Sequence, residues 1–420
     1  MNTGGLSLEQ APPFGAILRF FLAAPLFGVA AGALIAANGS TLLIDRFQPL
    51  SYALTHIVTI GLACMVMIGA LFQMLPVVAG VRLPAANALS IGIFAALIIG
   101  VLALCFGFVQ GEPIGFALGG GALFTALIVF AAIAIYKLYR VESENSAIWM
   151  IRLALIGLSV TVAFGAYLSL ARYTQNITAL TSALSNLHLG WGFIMWISML
   201  IMGVARQVLP MFYVTPPYPK ICCQIGVPLL YFTLIIASFL ALLSIDLIYA
   251  VLVVKICAAA VLTMFGVITL DRIYKRKRKV SDPSLCYWRF AMCCLIASAP
   301  FLFIGGGKNE AILAILFIGG FALSLINAMI YKIIPFLSWF HLSAITLNDI
   351  PMMSDFISKN AIYIQMIFHC ASIVFLIAGL FYDPLSRIGG GLFAIGYALV
   401  FKDISIAVLR YSRAKALAVK

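Results

Sequence analysis

The chain holds four histidines, and their placement is the first lead to chemistry. His56 and His188 each stand near the start of a long apolar stretch, and His369 lies near the middle of another. An imidazole at membrane depth is costly and marks a pathway or a ligand. Heme iron takes one or two axial side chains from histidine or methionine. His56 and His188 are therefore the first candidates for heme or copper ligation, and His369 is a further metal candidate. The competing reading is a histidine at a span end, hydrogen-bonded to a neighbouring helix carbonyl. His341 follows Trp339 in an aromatic run and reads as part of an interfacial belt.

Methionine is the second soft donor. Met195, Met199 and Met202 recur at i, i+4 and i+7, one face of a helix. Thioethers suit Cu(I), so Met199 joins the metal candidates, although a methionine stripe is also ordinary packing material. Trp191 and Trp196 could flank a planar cofactor. Among charged and polar residues, Lys255 sits about seven residues into an apolar stretch and is a candidate for a proton or substrate path, as are Gln73 and Gln207. Arg206 and Lys332, close to prolines, are candidates for holding heme propionates or another anion. Their plainer role is to bond carbonyls freed by those prolines. No phosphate loop, catalytic triad or paired-carboxylate pattern occurs, and Glu142 and Glu144 read as solvated loop residues.

Apolar helices must position these side chains. Hydrophobic residues make up 64% of the 420-residue chain and charged residues 9%, against about 25% charged in a soluble domain. Twelve stretches are long enough to cross a bilayer: 15–37, 53–79, 87–110, 115–138, 148–171, 187–214, 226–245, 248–270, 286–305, 311–337, 361–381 and 387–410. Backbone polar groups find no water in lipid, so such spans must be helical. Basic residues concentrate in alternate loops, above all at Asp271–Lys279 and in the tail with Arg410, Arg413, Lys415 and Lys420. The positive-inside rule then puts both termini in the cytoplasm. The net charge of +13 follows from that rule and from anionic lipid, and no nucleic-acid partner is expected. The N-terminus lacks the basic start of a secretory signal, its only early charge being Glu9, so the first span is expected to be retained. Nine cysteines are scattered without a CxxC pair and read as small buried hydrophobes.

A repeat organises the spans. Gly69-Ala-Leu-Phe-Gln73-Met-Leu-Pro76 returns 134 residues later as Gly203-Val-Ala-Arg-Gln207-Val-Leu-Pro210, and 125 further on as Ala328-Met-Ile-Tyr-Lys332-Ile-Ile-Pro335. Each copy closes an inward-running span. Arg19, Arg152 and Arg289 mark the starts of the preceding spans at separations of 133 and 137. Internal repeats define architecture. Here they imply one polytopic domain over 1–420, built from three four-helix repeats at about 14–140, 147–280 and 284–410 in a pseudo-threefold bundle. Gly61, Gly190, Gly192, Gly203, Gly319 and Gly320 are expected to permit close helix packing.

Three four-helix arcs with both ends inside resemble subunit I of the heme–copper oxidases. The segment from His56 through Gly69 to Pro76, a histidine followed by a glycine-rich helix that ends in proline, is similar to the NnrS-like and oxidase-subunit-I-like membrane proteins of proteobacteria. The resemblance implies a low-spin heme ligand at His56, a copper ligand near His188 and a proton-channel lysine in the span of Lys255. It also implies a bacterial inner-membrane location, heme b and/or copper as cofactors, and respiratory or denitrification-related membrane partners. The further copper-ligating histidines of the oxidases would fall within 226–245 and the heme-ligating pair within 311–325, and neither segment contains a histidine. The expectation is therefore a heme- or copper-associated protein that holds or passes electrons, heme or metal without acting as a terminal oxidase. The alternative is a permease for a small solute or metal ion through the pseudo-threefold cavity.

Overall fold

The computed structural model describes residues 12–142, 145–243, 245, 247–345 and 351–418. Glu9, Glu144 and Lys420 lie outside them. Among the described residues the chain is all helical, with twelve helices long and apolar enough to cross a membrane. They are α1 (Phe14–Asn38), α2 (Pro49–Ala79), α3 (Ala86–Gln110), α4 (Pro113–Tyr139), α5 (Ser146–Tyr173) and α6 (Ala179–Tyr213). Then follow α7 (Cys223–Leu242), α8 (Ile248–Tyr274), α9 (Pro283–Leu302), α10 (Gly307–Ser343), α11 (Lys359–Gly379) and α12 (Asp383–Leu417). This is a multi-pass membrane architecture. Large apolar side chains stand exposed on many helices, such as Leu118, Phe232 and Ile367, where a water-facing surface would be polar.

The helix ends follow local chemistry. Asn145 caps α5 by accepting from the Ala147 N–H at 2.9 Å, and Thr178 with Thr181 forms a reciprocal box that starts α6. That box explains why α6 begins eight residues before the apolar stretch at 187. Gly80 ends α2 in the left-handed region at φ 64°, a conformation that favours glycine. The proline motif does not close its span in every copy. Pro76 and Pro210 stand three residues before their helix ends, whereas α10 runs eight residues beyond Pro335 to Ser343.

An irregularity recurs inside α2, α6 and α10. Ile57–Cys64, Trp191–Ser198 and Ile315–Leu323 are π-helical, with i→i+5 bonding in place of i→i+4. From Ile57 to Pro76, Trp191 to Pro210 and Ile315 to Pro335 is 19, 19 and 20 residues.

The chain divides into two compact units and passes between them within α3, in the connection ahead of α9, and within α9 and α10. Unit one comprises the chain to Phe94, Ser281–Ala291 and Ile318 onward, and unit two comprises Ala95–Val280 and Met292–Phe317. In unit one, α1 lies directly against α12. A Cβ on Gly32 would stand 2.4 Å from the Ala394 nitrogen, and one on Gly390 2.5 Å from the Ala36 nitrogen. In unit two, Gly115 approaches Gly107 between α3 and α4, and the Ser169 hydroxyl on α5 donates to the Phe116 carbonyl on α4 at 2.6 Å. Of the glycines singled out in the sequence, Gly61, Gly203 and Gly319 face neighbouring side chains closely, and Gly190 and Gly192 more loosely.

Candidate functional site

His56, His188 and His369 each stand at or beside a π-helical stretch. His56 directly precedes the π-helical stretch of α2, and His188 stands three residues before that of α6. His369, on α11, bonds Ser324, which directly follows the π-helical stretch of α10, and its ring also meets the backbone of Gly319 within that stretch. π-Helical turns are rare and frequent at functional sites.

The bonds of His56 and His188 define their chemistry. His56 Nδ1 lies 2.7 Å from the Tyr52 carbonyl oxygen, and His188 Nδ1 lies 2.9 Å from that of Thr161 on α5. A carbonyl oxygen only accepts, so each Nδ1 carries the proton and donates. In the neutral ring Nε2 then holds the lone pair. A backbone carbonyl on the far ring nitrogen is how metal-ligating histidines are commonly oriented. Both rings are half-buried, and Gly165 makes room for His188, since a Cβ there would stand 3.0 Å from its Cε1. The bond to a helix carbonyl is the feature that the plainer reading of these residues expected. It is equally what a ligand requires. His369 differs in having Nε2 engaged by the Ser324 hydroxyl at 2.8 Å, and it is 1% exposed against the rings of Tyr287 and Phe290.

The candidates fall in both units: His56, Gln73, Lys332 and His369 belong to unit one, and His188, Met199, Arg206, Gln207 and Lys255 to unit two. Lys332 is ion-paired with Asp282, just ahead of α9. Burial pushes the Asp282 carboxyl up, but the Lys332 ammonium and the Ser284 hydroxyl and N–H together hold it below the usual carboxylate value. Arg206 donates to the Ser146 hydroxyl at 2.9 Å and to the Pro219 and Tyr218 carbonyls. It thus ties the loop after α6 to α5 and does not bond carbonyls freed by Pro210. Gln73 is buried with its Oε1 unbonded. Met199 is fully buried, Gln207 and Lys255 are half-buried, and Trp191 and Trp196 are packed in the interior, with the Trp191 indole donating to Ser238 on α7 at 2.9 Å. Among the described residues no three His, Cys, Asp or Glu side chains converge on one point.

Unit one also contains a polar assembly that His369 shares with residues not singled out above. Ser324, Asn327 and Tyr331 lie on one face of α10 at i, i+3 and i+7, and Gln365, His369 and Ser372 on one face of α11 at i, i+4 and i+7. All are buried. The Tyr331 hydroxyl donates to Asp403 of α12 at 3.1 Å, and that of Tyr287 to Gln365. Polar residues at helical spacing in an apolar span were a legible signal, hidden only because Asn, Gln and Tyr are not ligand types.

Compared with models of known protein families and with curated proteins, the chain matches none.

Proposed function

We propose that this chain is a bacterial inner-membrane protein associated with heme or copper, which holds or passes electrons, heme or metal without reducing oxygen. The observation that carries the reading is the pair of carbonyl-held imidazoles, His56 and His188, each beside a π-helical stretch. When bound, heme would supply a one-electron couple. The protein's part is to fix each ring through Tyr52 and Thr161, to present Nε2, and to limit water through the buried faces of α2 and α6.

The same reading takes the architecture as three four-helix repeats with both termini in the cytoplasm. The nearly constant distance from π-helical stretch to proline supports the repeat, because it adds a backbone marker to the proline and arginine markers in the sequence. Respiratory or denitrification-related membrane proteins are the partners that this reading expects.

The test is optical. Protein purified from heme-replete cells should show a Soret band that His56→Ala or His188→Ala shifts or removes. Protein that remains colourless and takes up neither hemin nor copper would refute the reading.

A further inference from the structure

The polar assembly of unit one is built on α9, α10, α11 and α12, not on the helices α2 and α6 that bear those imidazoles. Asn327 is fully buried on α10, and neither its Oδ1 nor its Nδ2 has a hydrogen-bond partner. Beside it stands Tyr397 of α12, 1% exposed, whose hydroxyl meets the Asn327 side chain without forming a hydrogen bond of normal geometry. Leaving such groups unpaired in an apolar interior costs about 1–3 kcal/mol each. Buried polar atoms are nearly always satisfied by protein or by ordered water, and the one contact between these two side chains leaves most of their bonding capacity unmet, which calls for an occupant.

The chemistry of the occupant can be read from the set. Asn327 offers an acceptor oxygen and a donor nitrogen, and Tyr397 can do either. A bare metal cation would engage the oxygens and leave Nδ2 unpaired. An anion would face the Asp403 carboxylate. Water both donates and accepts, and it satisfies all three atoms.

Around this point lie groups that exchange protons. Asp403 is 3% exposed and accepts from Tyr331. Lys402, on the same helix, lies 3.2 Å from its other oxygen and is half-exposed. Tyr287 of α9 lies near Asp403, Tyr331 and Tyr397, and Tyr397 lies near Tyr331. From α11, Cys370 interacts with Tyr287, and His369 bonds Ser324. The one charged residue of α1, Arg19, is bonded to Asn87. Lys332 and its partner Asp282 stand at the loop end of the α10 seam. Ser324 is eight residues further in, about 12 Å along the helix.

We propose that unit one holds a hydrated proton-binding site, in which Asp403 takes up a proton through water held by Asn327 and Tyr397. Uptake converts the Asp403 carboxylate to the acid, with the Tyr331 hydroxyl and Lys402 remaining as its neighbours. The proton comes from bulk water by way of the water-bearing side chains, and no redox partner takes part. The site does not depend on the histidine reading.

The experiment is infrared titration of the full chain reconstituted in lipid, in H2O and in D2O. A protonated-carboxyl C=O band should rise as pH falls, shift in D2O, and vanish in Asp403→Asn while persisting in Asp282→Asn. Tyr397→Phe and Asn327→Leu should retain the band but slow its shift after transfer to D2O. Tyr397→Phe removes a single hydroxyl and keeps the readout usable if Asp403→Asn fails to fold. The proposal is overturned if the band is absent, if it survives in Asp403→Asn, if both relay variants exchange at the wild-type rate, or if the band responds to Na+ at fixed pH.

Discussion

Gly32→Ala probes the close approach of α1 to α12 in unit one. The added Cβ would lie 2.4 Å from the Ala394 nitrogen, 2.6 Å from the Gly390 oxygen and 2.8 Å from the Ala394 Cα. All three are backbone atoms, so no rotamer change relieves them. Ordinary carbon contacts fall near 3.5–4.0 Å, so α1 and α12 must part by about 1 Å. Overpacking of this kind costs about 1–3 kcal/mol, roughly a five- to hundredfold fall in the folding equilibrium constant. Gly121→Ala on α4 is the matched control, because nothing lies within 4 Å of its Cβ. In a helix interior the exchange of Gly for Ala is favourable by up to about 1 kcal/mol. Thermal unfolding in mild detergent, followed by circular dichroism, should therefore move in opposite directions for the two variants. Equal midpoints, or a Gly32→Ala protein as stable as the parent, would refute the packing argument.

Further predictions follow from the polar contacts. Because Lys332 and Ser284 hold Asp282 below its unfolded value, its ionised form stabilises the fold above the unfolded carboxylate range, and this stabilisation is lost as pH falls through the folded value. Asp282→Asn should therefore be less stable than the parent near pH 7, with the gap closing in acid when both proteins are unfolded at a series of pH values. Ser324→Ala leaves the buried His369 Nε2 without its partner and should cost about 1–3 kcal/mol, and Ser324→Thr should recover part of that in the same assay. Gly28→Ala would push on the Tyr397 ring, whose nearest atom lies 2.3 Å from the new Cβ. It should alter the near-ultraviolet dichroism of tyrosine while leaving the helical signal intact.

The spans were legible because twenty apolar residues in a row admit little else than a membrane helix. Their ends were less so. The α6 start depended on a threonine capping box ahead of the apolar run, and α10 ran past Pro335 because the chain beyond it, Phe336–Leu342, continues an apolar helical face. The π-helical stretches left no mark in the composition, since an i→i+5 turn is a matter of bonding pattern and the residues within it are ordinary apolar ones. For the histidines, depth could be read from residue order but partners could not. Thr161 is 27 residues from His188 and Ser324 is 45 from His369, and such pairings depend on helix rotation. The Ser324–Asn327–Tyr331 seam was readable from spacing alone.

The π-helical stretches have a mechanical consequence. Widening a helix from i→i+4 to i→i+5 bonding stores surplus residues in its length, and the surplus can be drawn out one residue at a time. Returning one residue to α geometry would turn everything downstream by about 100° and slide it by about 1.5 Å. In α2, α6 and α10 the downstream portion ends in Gln73 and Pro76, Gln207 and Pro210, or Lys332 and Pro335. Each of these helices thus carries a built-in screw thread between the end that bears or meets a histidine and the end that bears the proline.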